Sequence, residues 1–272
     1  MTTVSVDGAE LFYTTRGNGP VCLVLCSIGT KPYEIQMPSQ LSDHLQLVFV
    51  DLRGGGRSTG EPSDLTFDVL ASDLEAVRAA LGAERVSVLG HSILGSLAIE
   101  YGRRCPDSVS HVITAGTPPF GDMARVSALA TSFFEEDASE ERKQVLRDNL
   151  AKLPPDASMG QFLFAQTPLR FFDAHIDAAP LFVEASAKPE LITHLVGTLT
   201  AGWDVTTAAP PLRVPHFHAH GRHDYVVPHV LWEGVVDRLP TTTFRLFERS
   251  GHQPFFEEPE AFVESVMDWM KP

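Results

Sequence analysis

A serine hydroxyl becomes a useful nucleophile at neutral pH only when a base takes its proton and a carboxylate orients that base. Three stretches of this chain carry those residue types. Ser92 lies in V-S-V-L-G-H-S-I-L-G, residues 86–95. An apolar run there stops at Gly90, and Ile93, Leu94, Leu97, Ala98 and Tyr101 then recur at helical spacing. The pattern predicts a buried strand, a sharp turn and a helix, with the serine at the apex and its hydroxyl lifted off the sheet. The competing reading is a serine that caps the helix after it. Asp224 stands in G-R-H-D-Y-V-V-P and His252 in R-S-G-H-Q-P-F-F-E-E-P, each in a loop after a strand-like run. Acyl transfer through a covalent intermediate is the chemistry open to such a set.

The elements that must position these residues follow from periodicity. Residues 4–16 roughly alternate around Asp7-Gly8, a hairpin signal. Val21–Cys26 and Leu47–Val50 are continuous apolar runs and predict buried strands, the second ending in a glycine-dense loop, Asp51 to Gly60. That loop has no G-x-G-x-x-G opening a helix and no G-K-[ST], which argues against nucleotide binding. Residues 36–45 have a helical pattern; Thr66 precedes a second helix closing at Gly82, and Val109–Ala115 is the next strand. Strand-like runs return at Val214–His220 and Thr241–Phe247, separated by a helical pattern through Trp232, Val235, Val236 and Leu239. A last amphipathic helix runs from Pro259 to Met270. Alternating strands and helices predict an α/β fold, a mostly parallel sheet with helices on both faces. Ligands in such sheets bind outside the carboxyl ends of the strands. The loops at Ser27–Thr30 and Asp51–Ser58, with those carrying Ser92, Asp224 and His252, all fall there.

Between residues 117 and 205 no strand pattern appears. Helical patterns such as Val145, Leu146, Leu150 and Leu153, stopped by Pro154-Pro155, take over. Eight of the 17 phenylalanines lie here, among them Phe120, Phe134, Phe171 and Phe182, and are read as the segment's own core. The domain expectation is a core of residues 1–116 and 206–272, with residues 117–205 inserted as a helical lid.

Composition limits the partners. The chain has 272 residues, 43% hydrophobic and 21% charged, within the range of one α/β domain with an insertion. A formal charge of −14 argues against nucleic acid or an anionic membrane as partner. No run reaches membrane-spanning length and no signal-peptide pattern opens the sequence. The three cysteines, Cys22, Cys26 and Cys105, form no disulfide framework, so the expected compartment is the reducing cytoplasm. Cys26, in an apolar run with no matching base, is read as structural.

The order Ser92, Asp224, His252 leads to a resemblance covering the whole chain. Five motifs in register, L-C-S-I-G, D-L-R-G-G-G-R-S, G-H-S-I-L-G, G-R-H-D-Y-V-V-P and S-G-H-Q-P-F-F-E-E-P, resemble the α/β-hydrolases of the cofactor-free esterase, proline-iminopeptidase and haloperoxidase-like group. The resemblance implies Ser92 as nucleophile, His252 as general base and then acid, and Asp224 as its orienting carboxylate. It implies an oxyanion hole from the backbone N–H groups of Ile28 and Ile93, and the lid as a cap. No cofactor and no metal are implied. The chain departs from the family pattern twice: Cys26-Ser27 stands where His-Gly is usual, and Leu94 stands where the elbow usually has a small residue. An aspartate at the nucleophile position would mark a dehalogenase or epoxide hydrolase, and Ser92 excludes both.

His216, His218 and His220 would share one face of a strand, as metal ligands can, but their spacing matches no metal motif. His91 is read as packing beside the elbow. Glu135, Glu136, Asp137, Glu140 and Glu141, which could hold a substrate ammonium, read as a solvated helix start. The expected function is therefore a serine hydrolase cleaving a small carboxylic ester, lactone or amide, with an apolar acyl or aromatic group. The other readings are a ligand-binding protein on a hydrolase scaffold, or an aminopeptidase, C–C hydrolase, lyase or perhydrolase using the same triad.

Overall fold

Strands buried on both faces are mostly apolar and half-covered strands tend to alternate; the sheet follows both rules except in the strand His216–Gly221, where three buried histidines pair with one another and with Thr114. In the computed structural model, which describes residues 2–182 and 184–271, eight strands form one sheet: β1 (Thr2–Val6), β2 (Ala9–Arg16), β3 (Val21–Cys26), β4 (Gln46–Asp51), β5 (Val86–His91), β6 (Val109–Ala115), β7 (His216–Gly221) and β8 (Thr242–Phe247). Their order is β1-β2-β4-β3-β5-β6-β7-β8. β1 and β2 form the antiparallel hairpin expected at Asp7-Gly8, and β2 runs antiparallel to β4; every other pair is parallel. All residues of β3, β5 and β7 are buried, whereas the outermost strands β1 and β8 alternate between exposed and partly covered.

Register brings the carboxyl ends of the central strands level: Cys26 pairs with Asp51, His91 with Ala115, and Ala115 with Ala219. The loops after β3, β4, β5, β6 and β7 therefore open on one edge. Helices α1 (Thr30–Gln36), α2 (Phe67–Ala80) and α3 (Leu94–Arg104) follow β3, β4 and β5. α2 starts where the sequence puts it, with the Thr66 hydroxyl accepting the Val69 N–H.

Two expected helices differ. The one placed at 36–45 is α1, which begins directly after the β3 loop and leaves only a tight turn at Ser39–Asp43. Pro32 is tolerated in its first turn, and Pro38 cannot continue it. The one placed through Trp232 to Leu239 is two short turns, His229–Trp232 and Val236–Arg238. Gly234 between them takes φ 69°, a left-handed value that a helix cannot hold.

Between β6 and β7 come α4 (Met123–Asp137), α5 (Glu140–Ala151), α6 (Met159–Ala165), α7 (Thr167–Arg170), α8 (Ala179–Phe182) and α9 (Pro189–His194). Asp122, Ser139 and Ser158 cap the first three by accepting N–H groups three residues on. Phe120, Phe134, Phe171 and Phe182 are buried, but Phe162, Phe164 and Phe172 are exposed, so the aromatic set is only partly internal. Among the described residues of this segment, strand pairing is confined to a single bridge, Phe120 to Asp204. The last two helices are α10 (Pro254–Glu257) and α11 (Pro259–Trp269).

Candidate active site

The turn at Ser92 is tight enough to force an unusual backbone. Ser92 takes φ 56°, the one non-glycine residue with positive φ among the described residues. Such a conformation costs on the order of 1–3 kcal/mol and persists only where the surroundings impose it. They do so here from three sides. The Ser92 N–H donates to the Ala115 carbonyl at the end of β6 (2.8 Å). A Cβ on Gly90 would collide with the Leu94 carbonyl, and one on Gly95 would collide with the Thr117 side chain. Leu94 itself is 1% exposed, with its side chain in the main core. The crowding that usually demands a small residue after the elbow falls on Gly90 and Gly95, and the turn accommodates leucine. Ser92 and Ile93 both keep part of their surface accessible.

Asp224 and His252 meet in the loops after β7 and β8. His252 Nδ1 donates to Asp224 Oδ2 at 2.7 Å. Asp224 Oδ1 accepts from the N–H groups of Val226 (2.9 Å) and Val227 (2.8 Å). Burial pushes the Asp224 carboxyl up to about 6, so at neutral pH it is ionised. Burial, then the Arg170 charge, pushes the His252 imidazole well below its ordinary value and keeps it neutral. With its proton on Nδ1, His252 keeps a lone pair on Nε2, and that atom is buried with no hydrogen-bond partner among the described residues. The imidazole lies over Gly116, where a Cβ would come within 2.8 Å of Nδ1; Gly116 directly follows the residue that anchors Ser92. Ser92 and His252 therefore share one corner of the sheet edge, but no hydrogen bond joins Ser92 Oγ to His252 Nε2. Such contacts are commonly long before substrate binds.

The loop after β3 carries the second departure. Cys26 is fully buried, and burial with the nearby Asp51 charge raises its thiol well above the ordinary value, so it is inert. Ser27 is buried, Ile28 is partly accessible and Gly29 takes φ 88°. The Ile28 carbonyl accepts the Ser186 N–H at 2.8 Å, which ties this loop to the segment after α8. Neither the Ile28 nor the Ile93 N–H donates to any protein atom among the described residues.

Several residues at this site had no decisive signal in the sequence. His91 packs 4.6 Å from the His252 ring and donates from Nε2 to the His252 carbonyl (2.9 Å). The consecutive acids Glu257 and Glu258 hold the same loop: Glu257 accepts the N–H groups of Gly251 (2.7 Å) and Phe172 (2.6 Å), and Glu258 those of Arg249 (2.9 Å) and, through its hydroxyl, Ser250 (2.7 Å). The histidines of β7 form a wire instead of converging on one point. His220 Nε2 can only donate to the Val227 carbonyl (2.6 Å), so its Nδ1 accepts from His218 Nε2 (2.8 Å). His218 Nδ1 then accepts from the Thr114 hydroxyl (2.7 Å), which accepts from His216 Nε2 (2.8 Å). The wire ends at Val227, whose N–H orients Asp224. The acids considered for a substrate ammonium already have partners: Asp137 accepts the Tyr225 hydroxyl (2.6 Å), and Glu135 and Glu140 pair with Lys143.

Known proteins share this fold. Residues 19–259 match the family model described as alpha/beta hydrolase fold. The chain is 34% identical over 274 residues to the AB hydrolase superfamily protein YclE of Bacillus subtilis, covering 97% of this chain and 96% of that one. It is 30% identical over 269 residues to a pimeloyl-acyl-carrier protein methyl ester esterase of Sodalis glossinidius, covering 96% and 97%. Among solved structures, the proline iminopeptidase of Mycobacterium smegmatis superposes with a TM-score of 0.75 at 22% identity, covering 99% and 97%, a likeness of fold. An eight-stranded, mostly parallel sheet, a strained serine elbow after β5 and matches over nearly the whole length lead to one conclusion: this chain belongs to the α/β-hydrolase fold family.

Proposed function

We propose that the protein is a serine hydrolase of small carboxylic esters. His252 Nε2 takes the Ser92 hydroxyl proton as Oγ bonds to the ester carbonyl carbon. The carbonyl oxygen gains charge and is held by the N–H groups of Ile28 and Ile93. The carbon–alkoxy bond then breaks, and the proton passes from Nε2 to the departing alkoxide, leaving an acyl group on Oγ. Water repeats the sequence: it gives a proton to Nε2 and its oxygen to the carbonyl carbon, the Oγ–acyl bond breaks, and Ser92 regains its proton. Asp224 keeps the imidazole in the Nδ1–H tautomer and stabilises the charged form. Losing one oxyanion donor in such a site costs about 10²–10³ in turnover.

The observation that carries this reading is the neutral His252, its Nδ1–H committed to Asp224 and its Nε2 unpartnered, beside a serine at φ 56°. The acyl or aromatic group is read as apolar; a cavity of about 400 Å3 beside the Asp224 loop has Val126, Phe134, Leu146, Leu169 and Val226 in its wall, along with Ser127, Thr131, Glu135 and Gln166, and is lined by neither Ser92 nor His252. Residues 117–205 are read as the cap. The free thiols of Cys22, Cys26 and Cys105 fit a reducing, cytoplasmic setting.

The test is a panel of p-nitrophenyl esters of rising chain length beside aminoacyl nitroanilides, with fluorophosphonate labelling. Wild type is expected to cleave short esters and to label, and Ser92→Ala to do neither. If no substrate turns over and Ser92 resists the probe, the hydrolase reading fails. The missing hydrogen bond between Ser92 Oγ and His252 Nε2 favours a second reading, a binding protein on the same scaffold. That reading expects ligand-induced thermal stabilisation that persists in Ser92→Ala without turnover.

A further inference from the structure

Arg170, at the end of α7, is placed where the mechanism above does not use it. Its main-chain carbonyl accepts the His252 N–H at 2.6 Å, which fixes the residue against the catalytic loop. Arg142 holds the same stretch from the other side, donating to the carbonyls of Pro168 (2.7 Å) and Phe171 (2.8 Å). The Arg170 side chain donates from Nε (3.3 Å) and Nη2 (3.0 Å) to one neutral acceptor, the Gln166 amide oxygen. That uses the side-on edge of the guanidinium. The end-on fork of Nη1 and the second Nη2 hydrogen has no acceptor among the described residues.

Several other arginines of the fold fill their forks, Arg16 and Arg142 with backbone carbonyls and others with carboxylates. Arg53 pairs with Asp73, Arg78 with Glu75, Arg103 with Glu100 and Arg222 with Glu248. Among the described residues Arg170 has no carboxylate within ion-pair distance. Asp224, the acid whose charge reaches it most, is committed to His252 and two backbone N–H groups.

The charge of Arg170 is felt by Asp224, His252, His91 and the Tyr33 hydroxyl, and its main chain is hydrogen-bonded to His252 itself. Burial without a counter-charge pushes Arg170 down to about 10, yet part of the residue stays accessible. An uncompensated buried charge is costly to keep, and a planar fork is the shape that receives a carboxylate through two hydrogen bonds.

We propose that Arg170 binds a carboxylate carried by the substrate, so that the preferred substrates are esters with a free acid group, such as half-esters of short dicarboxylic acids. This rests on the serine hydrolase reading and narrows it. The same cation repels an ammonium group, which disfavours substrates with a free amino terminus.

The experiment compares p-nitrophenyl half-esters of succinic, glutaric and adipic acid with chain-matched neutral p-nitrophenyl esters. Wild type is expected to favour the half-ester by about 10- to 100-fold in kcat/KM, mostly through KM, the effect of a hydrogen-bonded charge pair. The preference should fall at high salt. Arg170→Gln should bring the ratio of anionic to neutral substrate close to 1, and Arg170→Lys should keep part of it, since the charge remains without the fork. If wild type labels with fluorophosphonate and cleaves neutral esters at least as well as half-esters, the carboxylate proposal is overturned while the hydrolase reading stands. A preference undiminished in folded Arg170→Gln also overturns it. Because wild type alone can return the overturning result, a variant that fails to fold does not protect the proposal. If no ester turns over and Ser92 does not label, both readings fall together.

Discussion

At the scale of single residues, the site is a matter of where protons are allowed to sit. Asp224 accepts three hydrogen bonds, and its ionised form fixes the proton of His252 on Nδ1. Burial places the Asp224 carboxyl at about 6, so in the proposed mechanism kcat/KM falls as pH drops through about 6, the apparent value belonging to the Asp224–His252 pair. A pH–rate profile flat down to pH 4.5 would count against that assignment. Asp224→Asn offers an N–H where a carboxylate oxygen was, which turns the imidazole to the wrong tautomer. The expected loss is about 10⁴-fold in kcat with the melting temperature little changed, checked by steady-state kinetics beside thermal unfolding.

At the scale of elements, the turn between β5 and α3 depends on how closely α3 lies against the end of β6. Gly95 faces the buried Thr117 side chain with no room for a methyl group. Gly95→Ala should push α3 outward and displace the Ile93 N–H, with overpacking costing about 1–3 kcal/mol of stability. Turnover should fall further than stability alone explains, and Gly95→Ala/Thr117→Gly should recover part of it. Recovery of stability without recovery of turnover would show that the Ile93 amide does not act as proposed. The histidine wire belongs to this scale as well, because it joins β6, β7 and the Asp224 loop through protons whose direction is set at one end by the Val227 carbonyl.

At the scale of the whole molecule, buried titratable groups of opposite sign set the pH of greatest stability. Burial pushes His216 down to about 3 and His220 to about 4, and holds His91, His218 and His252 well below the ordinary value. Imidazoles neutral in the fold contribute stability that is lost as pH falls below the unfolded value of about 6.5. Burial raises Glu257 to about 8, so ionising it in the fold costs stability as pH rises toward 8; Asp51 and Asp224, at about 6, act in the same direction over a lower window. The melting temperature should therefore pass through a maximum around pH 6.5 and fall on both sides. A steady rise from pH 5 to pH 9 in differential scanning fluorimetry would contradict this.

What could be read from the sequence was whatever burial and order along the chain encode locally. Val21–Cys26 is apolar throughout, and Val86–His91 is apolar apart from Ser87 and His91, because both faces of a central strand are covered, and that pattern placed them in a parallel sheet. Ser92, Asp224 and His252 could be named as candidates because each stands in a loop after a strand-like run, and a strand's carboxyl end is where a parallel sheet exposes its loops. The helix expected at 36–45 was misplaced because two prolines decide its limits more than its apolar spacing does. Arg170 stands in the unremarkable run T-P-L-R-F-F, and only folding sets that run against His252, 82 positions on, with no carboxylate within ion-pair distance of its guanidinium among the described residues. The same holds for the proton direction in the β7 histidines and for the glycines that absorb the crowding beside Leu94. These are relations of distance between residues remote in the chain, and only the tertiary structure could decide them.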